Sequence, residues 1–199
     1  MSKVSIEGNA SGTGTLTIAA PNTNTNYTLT LPSQTGTIIT TAGVPASSLP
    51  AGSVLQVVQA STSTSVLVST ATYTDTGLSA SITPTSATSK ILVLVQQTAN
   101  SSVSAGGSGL GIKLLRGSTD IYNPSPVDNS GPFLYYVSTT SHYFIAYLQY
   151  LDSPATTLST TYKTQGRPYD TLNSGTARFQ PIGNVATGTS TIILMEIAA

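Results

Sequence analysis

The chain has 199 residues and a formal net charge of zero, and only 7% of its residues are Asp, Glu, Lys or Arg. An average soluble domain carries about 25% charged residues, and here Ser and Thr, nearly a third of the chain, take their place. Without a basic patch or a long apolar run, the sequence predicts neither nucleic-acid binding nor membrane insertion.

The first part of the chain, residues 1–43, contains short alternating runs such as "NYTLTLPSQTGTIITTAG". Alternation predicts β-strands, but so few residues cannot enclose a core of their own. We therefore expect a β-strand attachment segment that becomes ordered against sister copies or a larger assembly. The apolar residues predicted to make this attachment are Leu16, Ile18, Tyr27, Leu29, Leu31 and Ile39.

A proline-containing stretch, "VPASSLPAG" at residues 44–52, follows the attachment segment. Paired prolines favour an extended backbone and cannot donate to a strand ladder, so the stretch is predicted to be a semi-rigid linker. An ordinary long loop is the alternative.

Residues 53–199 show period-two patterns throughout, and no helical stripe of apolar residues. "KILVLVQQTA" is continuously apolar from Ile91 to Val95, which is typical of a central strand covered on both faces. "HYFIAYLQYLD" sets Tyr143, Ile145 and Tyr147 on one face, and "TYTDTGLSASITP" predicts two strands around a turn near Gly77. The pattern predicts an all-β protein, with roughly eight strands in an antiparallel jelly roll or β-sandwich.

The sequence contains few residues that suggest a catalytic, cofactor-binding or metal-binding site. There is no cysteine, and the single histidine, His142, is predicted to make a local hydrogen bond at a strand end. The acidic residues are dispersed, and Asp75 and Asp152 are expected to cap turns. "GGSGLG" at 106–111 lacks the Lys-Ser/Thr and the helix of a phosphate loop. We therefore expect no catalytic, cofactor-binding or metal-binding residues, and predict that the protein is not an enzyme.

Two further sets of residues are candidates for interactions. Glu196 shares a strand face with Ile192 and Leu194, so its carboxylate is expected to be solvated or, as the alternative, paired with an arginine (Arg116, Arg167 or Arg178) across a subunit boundary. Tyrosines in or beside predicted loops can stack on sugar rings. The candidate receptor contacts, for a host-surface glycan, are therefore Tyr135, Tyr136 and Tyr169, with plugging of a sandwich end or a trimer seam as the alternative.

Several segments resemble bacteriophage fibre and appendage proteins. "GTGTLTIAAPNTNTNYTLTLPSQTGTIITTAG" is similar to an element near the N-termini of such proteins. "GSVLQVVQA", "TYTDTGLSASITPTSATSKILVLV", "HYFIAYLQYLD", "TTYKTQGRPY" and "STIILMEI" resemble their C-terminal knobs, which are similar to the trimeric jelly rolls of the tumour-necrosis-factor and complement-head type. The chain lacks the coiled-coil or collagen-like shaft of a long fibre.

The resemblance implies a homotrimeric structural component of a phage virion. In this interpretation a short tail or neck fibre is anchored to other virion proteins by its N-terminus and displays a knob for host adsorption. A head fibre or capsid-decorating protein that stabilises the shell is one alternative, and a free carbohydrate-binding module is another. Because the chain has no cysteine and "MSKVSIEGNASG" lacks the apolar core of a secretion signal, we expect assembly in the host cytoplasm and action outside it.

Overall fold

The computed structural model describes residues 11–13, 22–26, 28, 49–123, 134–136, 141–169, 171, 174–181 and 188–199, with residues 134–136 described as backbone alone. Contacts within the chain divide it into two units, Met1–Ile39 and Thr40–Ala199. The predicted attachment residues, Leu16, Ile18, Tyr27, Leu29, Leu31 and Ile39, all lie outside the described residues, as does most of the predicted linker.

All regular secondary structure in the described residues is β-strand, which confirms the predicted all-β class. The strands are β1 Val54–Thr62, β2 Val66–Val68, β3 Thr74–Ile82, β4 Lys90–Ser102, β5 Ser108–Arg116, β6 Thr119–Tyr122, β7 Leu134–Tyr136, β8 His142–Asp152, β9 Thr160–Pro168, β10 Thr176–Phe179 and β11 Ser190–Ile197.

The strands form two antiparallel sheets. Sheet A contains β1, β2, β4, β8, β10 and β11, and sheet B contains β3, β5, β6, β7 and β9. In sheet A, β8 pairs along one edge of β4, while β11 and β10 share the other edge in tandem and are themselves flanked by β1 and β2. Sheet B runs β3, β9, β5, and then β6 and β7 in tandem. The chain passes repeatedly between the two sheets, as in a jelly roll.

The core lies between the two sheets and is built from alternate residues of each strand. Strand β4 contributes Ile91, Val93 and Val95, and β11 contributes Ile192 and Leu194, all at most 3% exposed. The facing sheet contributes a similar set: Leu78, Ile82, Leu110, Ile112, Leu114 and Tyr162. Burial of one face of every strand is the main stabilising contribution.

Gly77 does not form the predicted turn. It lies inside β3 with a φ of +84°, and the pairing of β3 with β9 shifts register between Asp75 and Ser79. A β-bulge of this kind places a glycine where the backbone is left-handed, and the strand continues beyond it. The expectation of two strands around a turn was therefore wrong, because glycine permits a bulge as readily as a turn.

A buried polar network joins the two sheets where β10 ends and β11 begins. Gln97 Oε1 accepts a hydrogen bond of 2.9 Å from Thr164 Oγ1, and Gln97 Nε2 donates to Ser190 Oγ at 2.9 Å. Gln180 is fully buried at a φ of +48°. With its amide nitrogen facing the carbonyl oxygens of Thr64 and Thr76 at 3.0 Å, both ends of the Gln180 amide are satisfied. Paired polar groups of this kind fix the point along β4 at which β10 ends and β11 begins.

Candidate subunit interface

The two ends of the sandwich are defined by where the chain enters it. Gly52 N donates to Ala198 O at 2.8 Å, and Ala198 N donates to Ser53 O at 2.9 Å, so residues 52–53 and the last strand meet at one end, which we call the basal end. The opposite, distal end holds the end of β4, the beginnings of β5 and β8, and the end of β9.

The outer face of sheet A is apolar toward the basal end. Leu151, Leu92, Met195 and Val57 pair successively across β8, β4, β11 and β1 and so form one continuous row. Gln149, Leu94, Ile193 and Gln59 form the next row, and Tyr147, Gln96, Thr191 and Ser61 the third. We call the following residues the apolar outer face: Val57, Leu92, Leu94, Ile145, Tyr147, Leu151, Ile193 and Met195.

Several of these side chains are open to solvent. Tyr147 is 60% exposed, Val57 56%, and Ile145 52%. A shallow depression of 240 Å³ lies between β4, β8 and β11, and Leu94, Tyr147 and Ile193 are among its lining residues. Single exposed apolar residues are common, but a contiguous patch built from strands in register is typical of an interaction surface.

Charge is distributed unequally between the two sheets. The outer face of sheet B carries Asp75, Lys113, Asp120, Lys163 and Arg167, whereas the described outer face of sheet A carries only Lys90 and Arg178. On sheet B, Lys113 pairs with Asp120 and Lys163 with Asp75, each at 2.8 Å. Sheet B therefore has an outer surface suited to water, and sheet A has one suited to a protein partner.

The edge strand of sheet A belongs to the same surface. β8 has eleven residues and pairs with β4 alone among the described strands. Its outward side chains alternate as predicted, with Tyr143, Ile145 and Tyr147 on one face. A long edge strand without charge on its outer face is prone to pair with another chain, and proteins normally cover such an edge or place charges on it.

Glu196 is not solvated, and that expectation was wrong. It is fully buried at the basal end, where Gln56 Nε2 donates to its Oε2 at 2.6 Å, and Thr85 N and Oγ1 donate to its Oε1 at 2.7 and 2.8 Å. Burial by itself would raise the pKa of Glu196, but these hydrogen bonds outweigh it and hold the pKa below the ordinary value of 4.5. Its partners are neutral groups of the same chain rather than an arginine.

The aspartates Asp75 and Asp152 do not cap turns. Asp152 ends β8 and is buried, and its carboxylate accepts hydrogen bonds from Arg116 Nη1 at 2.8 Å and Tyr162 OH at 2.7 Å. Burial and the adjacent Asp152 carboxylate raise the pKa of Tyr162 far above its ordinary value of 10.0. Asp75 lies within β3 and pairs with Lys163. These carboxylates join strands, which a pattern of turn residues could not indicate.

The backbones of the three predicted receptor tyrosines, Tyr135, Tyr136 and Tyr169, lie close together at the distal end. Gly109 pairs with Tyr135, Ser108 pairs with Tyr136, and Tyr169 N donates to Gly109 O at 2.9 Å. The side chain of Tyr169 is half-buried. The structure therefore brings the three positions together around the start of β5, at the end opposite to the one where the chain enters.

His142 lies at a strand end, as predicted, but its hydrogen-bond partner Ser108 is 34 residues away in sequence, so the bond is not the local one expected. As the first residue of β8, it lies with Nδ1 3.0 Å from Ser108 Oγ. Ser108 is 1% exposed, so its hydroxyl is not accessible to a substrate. No group of three or more His, Cys, Asp or Glu side chains in the described part of the chain could hold a metal ion.

Comparisons with protein-family models and with curated proteins gave no match for this chain. Within the described ranges, no helix has the length and apolar character to cross a membrane. The sequence did not predict a site at Leu92, Leu94, Ile193 and Met195, which belong to the candidate interface. The signal for them was present in "ILVLV" and "IILM", where neither face of the strand is polar.

Proposed function

We propose that this protein is a non-enzymatic structural component of a bacteriophage particle. In this proposal it is a short trimeric appendage, anchored by residues 1–43 and displaying the β-sandwich as a knob. The observation that carries the proposal is the apolar outer face of sheet A: a sheet that is apolar on both faces is suited to lie inside an assembly. The resemblance of the sequence to phage fibre proteins supplies the biological setting.

A closed trimer accounts for both unusual surfaces of sheet A. If the β8 edge of one copy packs against the apolar outer face of the next, the contact is heterologous, and three such contacts close a ring. Each copy then covers its neighbour's row of Leu92, Met195 and Val57 while its own Ile145 and Tyr147 become buried. The charged outer surface of sheet B remains in water.

The position of the two ends supports display of the knob. The chain enters the sandwich at the basal end, and in this proposal the distal end is the part that is displayed. The distal end is where Tyr135, Tyr136 and Tyr169 meet, so a role in adsorption would use these loops or the strand ends beside them.

The test is deletion of residues 1–43 in the phage that carries this gene. We expect the shortened protein to remain a folded trimer but to be absent from purified particles. Incorporation of the shortened protein would contradict anchoring by the N-terminal segment. Imaging of particles that carry a labelled knob would then locate the protein. A few dozen copies or fewer indicate a tail or neck appendage, and hundreds indicate a capsid-decorating protein.

A free carbohydrate-binding module predicts a different result from the same preparation. The full-length protein would then bind glycans in solution and would never copurify with particles. An enzyme would clear a polysaccharide layer, and the proposed structural protein would leave it intact.

A further inference from the structure

The outer face of sheet A changes character toward the distal end. There Tyr143 of β8, Asn100 of β4 and Arg178 of β10 pair successively across the sheet, and Leu67 of β2 ends the row. All four side chains point outward, because the residues that alternate with them, such as Ala99, Ala177 and Phe179, are buried. We call these four residues the distal row.

Arg178 places a positive charge in the distal row, and no carboxylate in the described part of the chain forms an ion pair with it. The ion pairs of the described residues use Lys113, Arg116 and Lys163, and none includes Arg178. With the residues that the structure describes, its guanidinium makes one long hydrogen bond, from Nη1 to Ser65 Oγ at 3.3 Å. A half-buried guanidinium with most of its donors unused is suited to bind an anion, above all a planar carboxylate.

Asn100 of β4 is held in one orientation by residues at the start of β8. Its Nδ2 donates to Ser141 Oγ at 2.7 Å and to His142 O at 3.0 Å. Both amide hydrogens are therefore occupied, and no hydrogen bond within the described ranges uses the carbonyl Oδ1, which can accept one from a ligand. On the other side of Asn100, Tyr143 is 68% exposed and presents an aromatic ring.

We propose that the distal row is a binding site for an acidic sugar residue of a surface glycan. Neighbouring strands are about 4.8 Å apart, so Tyr143 and Arg178 are separated by roughly 10 Å, with Asn100 between them. A sugar ring would stack on Tyr143, donate a hydroxyl hydrogen to Asn100 Oδ1 and direct its carboxylate to Arg178. The biological role of this site rests on the proposed function. The site makes the strand residues of the distal row, rather than Tyr135, Tyr136 and Tyr169, the main contact with the glycan.

The experiment is calorimetric titration of the full-length protein with soluble trisaccharides. The probes contain galacturonic, glucuronic or sialic acid, each used up to about 10 mM beside a neutral trisaccharide of matched size. We expect one acidic probe to bind and its neutral counterpart to bind at least tenfold more weakly. Arg178→Gln should weaken acidic binding at least tenfold, Arg178→Lys should retain part of it, and Tyr143→Ala should weaken it while Tyr143→Phe does not.

Lys90→Gln is the matched control, because Lys90 is the other cation on this outer face but lies at the basal end. We expect it to leave binding unchanged. The proposal is overturned if no acidic probe binds, if neutral probes bind equally well, or if Arg178→Gln and Lys90→Gln have the same effect. Sedimentation of the same samples separates the two proposals: a monomer that binds contradicts the proposed trimer alone, and a trimer that does not bind contradicts the glycan site alone.

Discussion

Tyr147 offers the most direct test of the apolar outer face. A tyrosine side chain can bury about 150–250 Å². Because Tyr147 is 60% exposed, roughly 90–150 Å² of it remains to be covered. At about 25 cal/mol per Å², covering this area contributes about 2–4 kcal/mol per copy, and truncation to alanine removes about 2 kcal/mol of it.

A trimer contains three such contacts, so Tyr147→Ala should make trimer formation less favourable by about 6 kcal/mol. At 1.4 kcal/mol per factor of ten, the trimer dissociation constant rises about 10⁴-fold. Because that constant has the dimension of concentration squared, the concentration at half dissociation rises about 100-fold. The isolated chain should lose little stability, since the side chain points away from the core.

Sedimentation equilibrium over a wide range of protein concentrations measures this shift. Leu158→Ala is the matched control, because Leu158 is 74% exposed but lies between β8 and β9, outside both sheets. We expect the control to assemble like the wild-type protein. A wild-type protein that stays monomeric at every concentration, or a control that dissociates as readily as Tyr147→Ala, would refute this reasoning.

Two further substitutions test the structure of the single sandwich by urea unfolding. A Cβ at Gly166 would overlap the buried Phe179 ring, so Gly166→Ala should lower the free energy of unfolding by about 2 kcal/mol. A Cβ at Gly111 would lie 2.6 Å from the hydroxyl of Tyr73, the far end of a side chain that can move, so Gly111→Ala should cost less than about 1 kcal/mol. Equal losses of stability would contradict this packing. The folded pKa of Glu196 lies below its ordinary value of 4.5, so its contribution is present above pH 4.5 and is lost as the pH falls through the folded pKa. Glu196→Gln should therefore be about 2 kcal/mol less stable at pH 7 but lose less than wild type between pH 7 and pH 3, and unchanged acid sensitivity would argue against this role.

The strands were the most predictable part of the fold, because a period of two follows directly from the geometry of a half-buried strand. Alternation in "HYFIAYLQYLD" placed Tyr143, Ile145 and Tyr147 on one face, as the structure does. Apart from the bulge at Gly77, the predictions that failed depended on contacts distant in sequence. Glu196 is held by Gln56, 140 residues away, and no local pattern identifies such a partner.

The position of the break between β10 and β11 could not be predicted from the sequence either. It depends on Gln97, Gln180 and Ser190, which come from three separate positions in sheet A and satisfy one another only after the sheets have packed. A polar residue in a strand ordinarily indicates a solvent-facing position. Here the polar side chains point inward, because a network that satisfies all of its members can be buried without a large penalty.

The candidate interface was indicated by a difference between the burial that the sequence predicts for β4 and the burial found in the structure of one chain. "KILVLV" predicts a strand covered on both faces, and in the sandwich only Ile91, Val93 and Val95 are fully covered by the opposite sheet. Leu92 and Leu94 remain partly open on the other side. Chance exposure would scatter such residues, whereas here Leu92 is in register with Leu151 on one neighbouring strand and Met195 on the other. A row that crosses four strands is a property of the folded sheet, and contiguous apolar rows of this kind are typical of interaction surfaces.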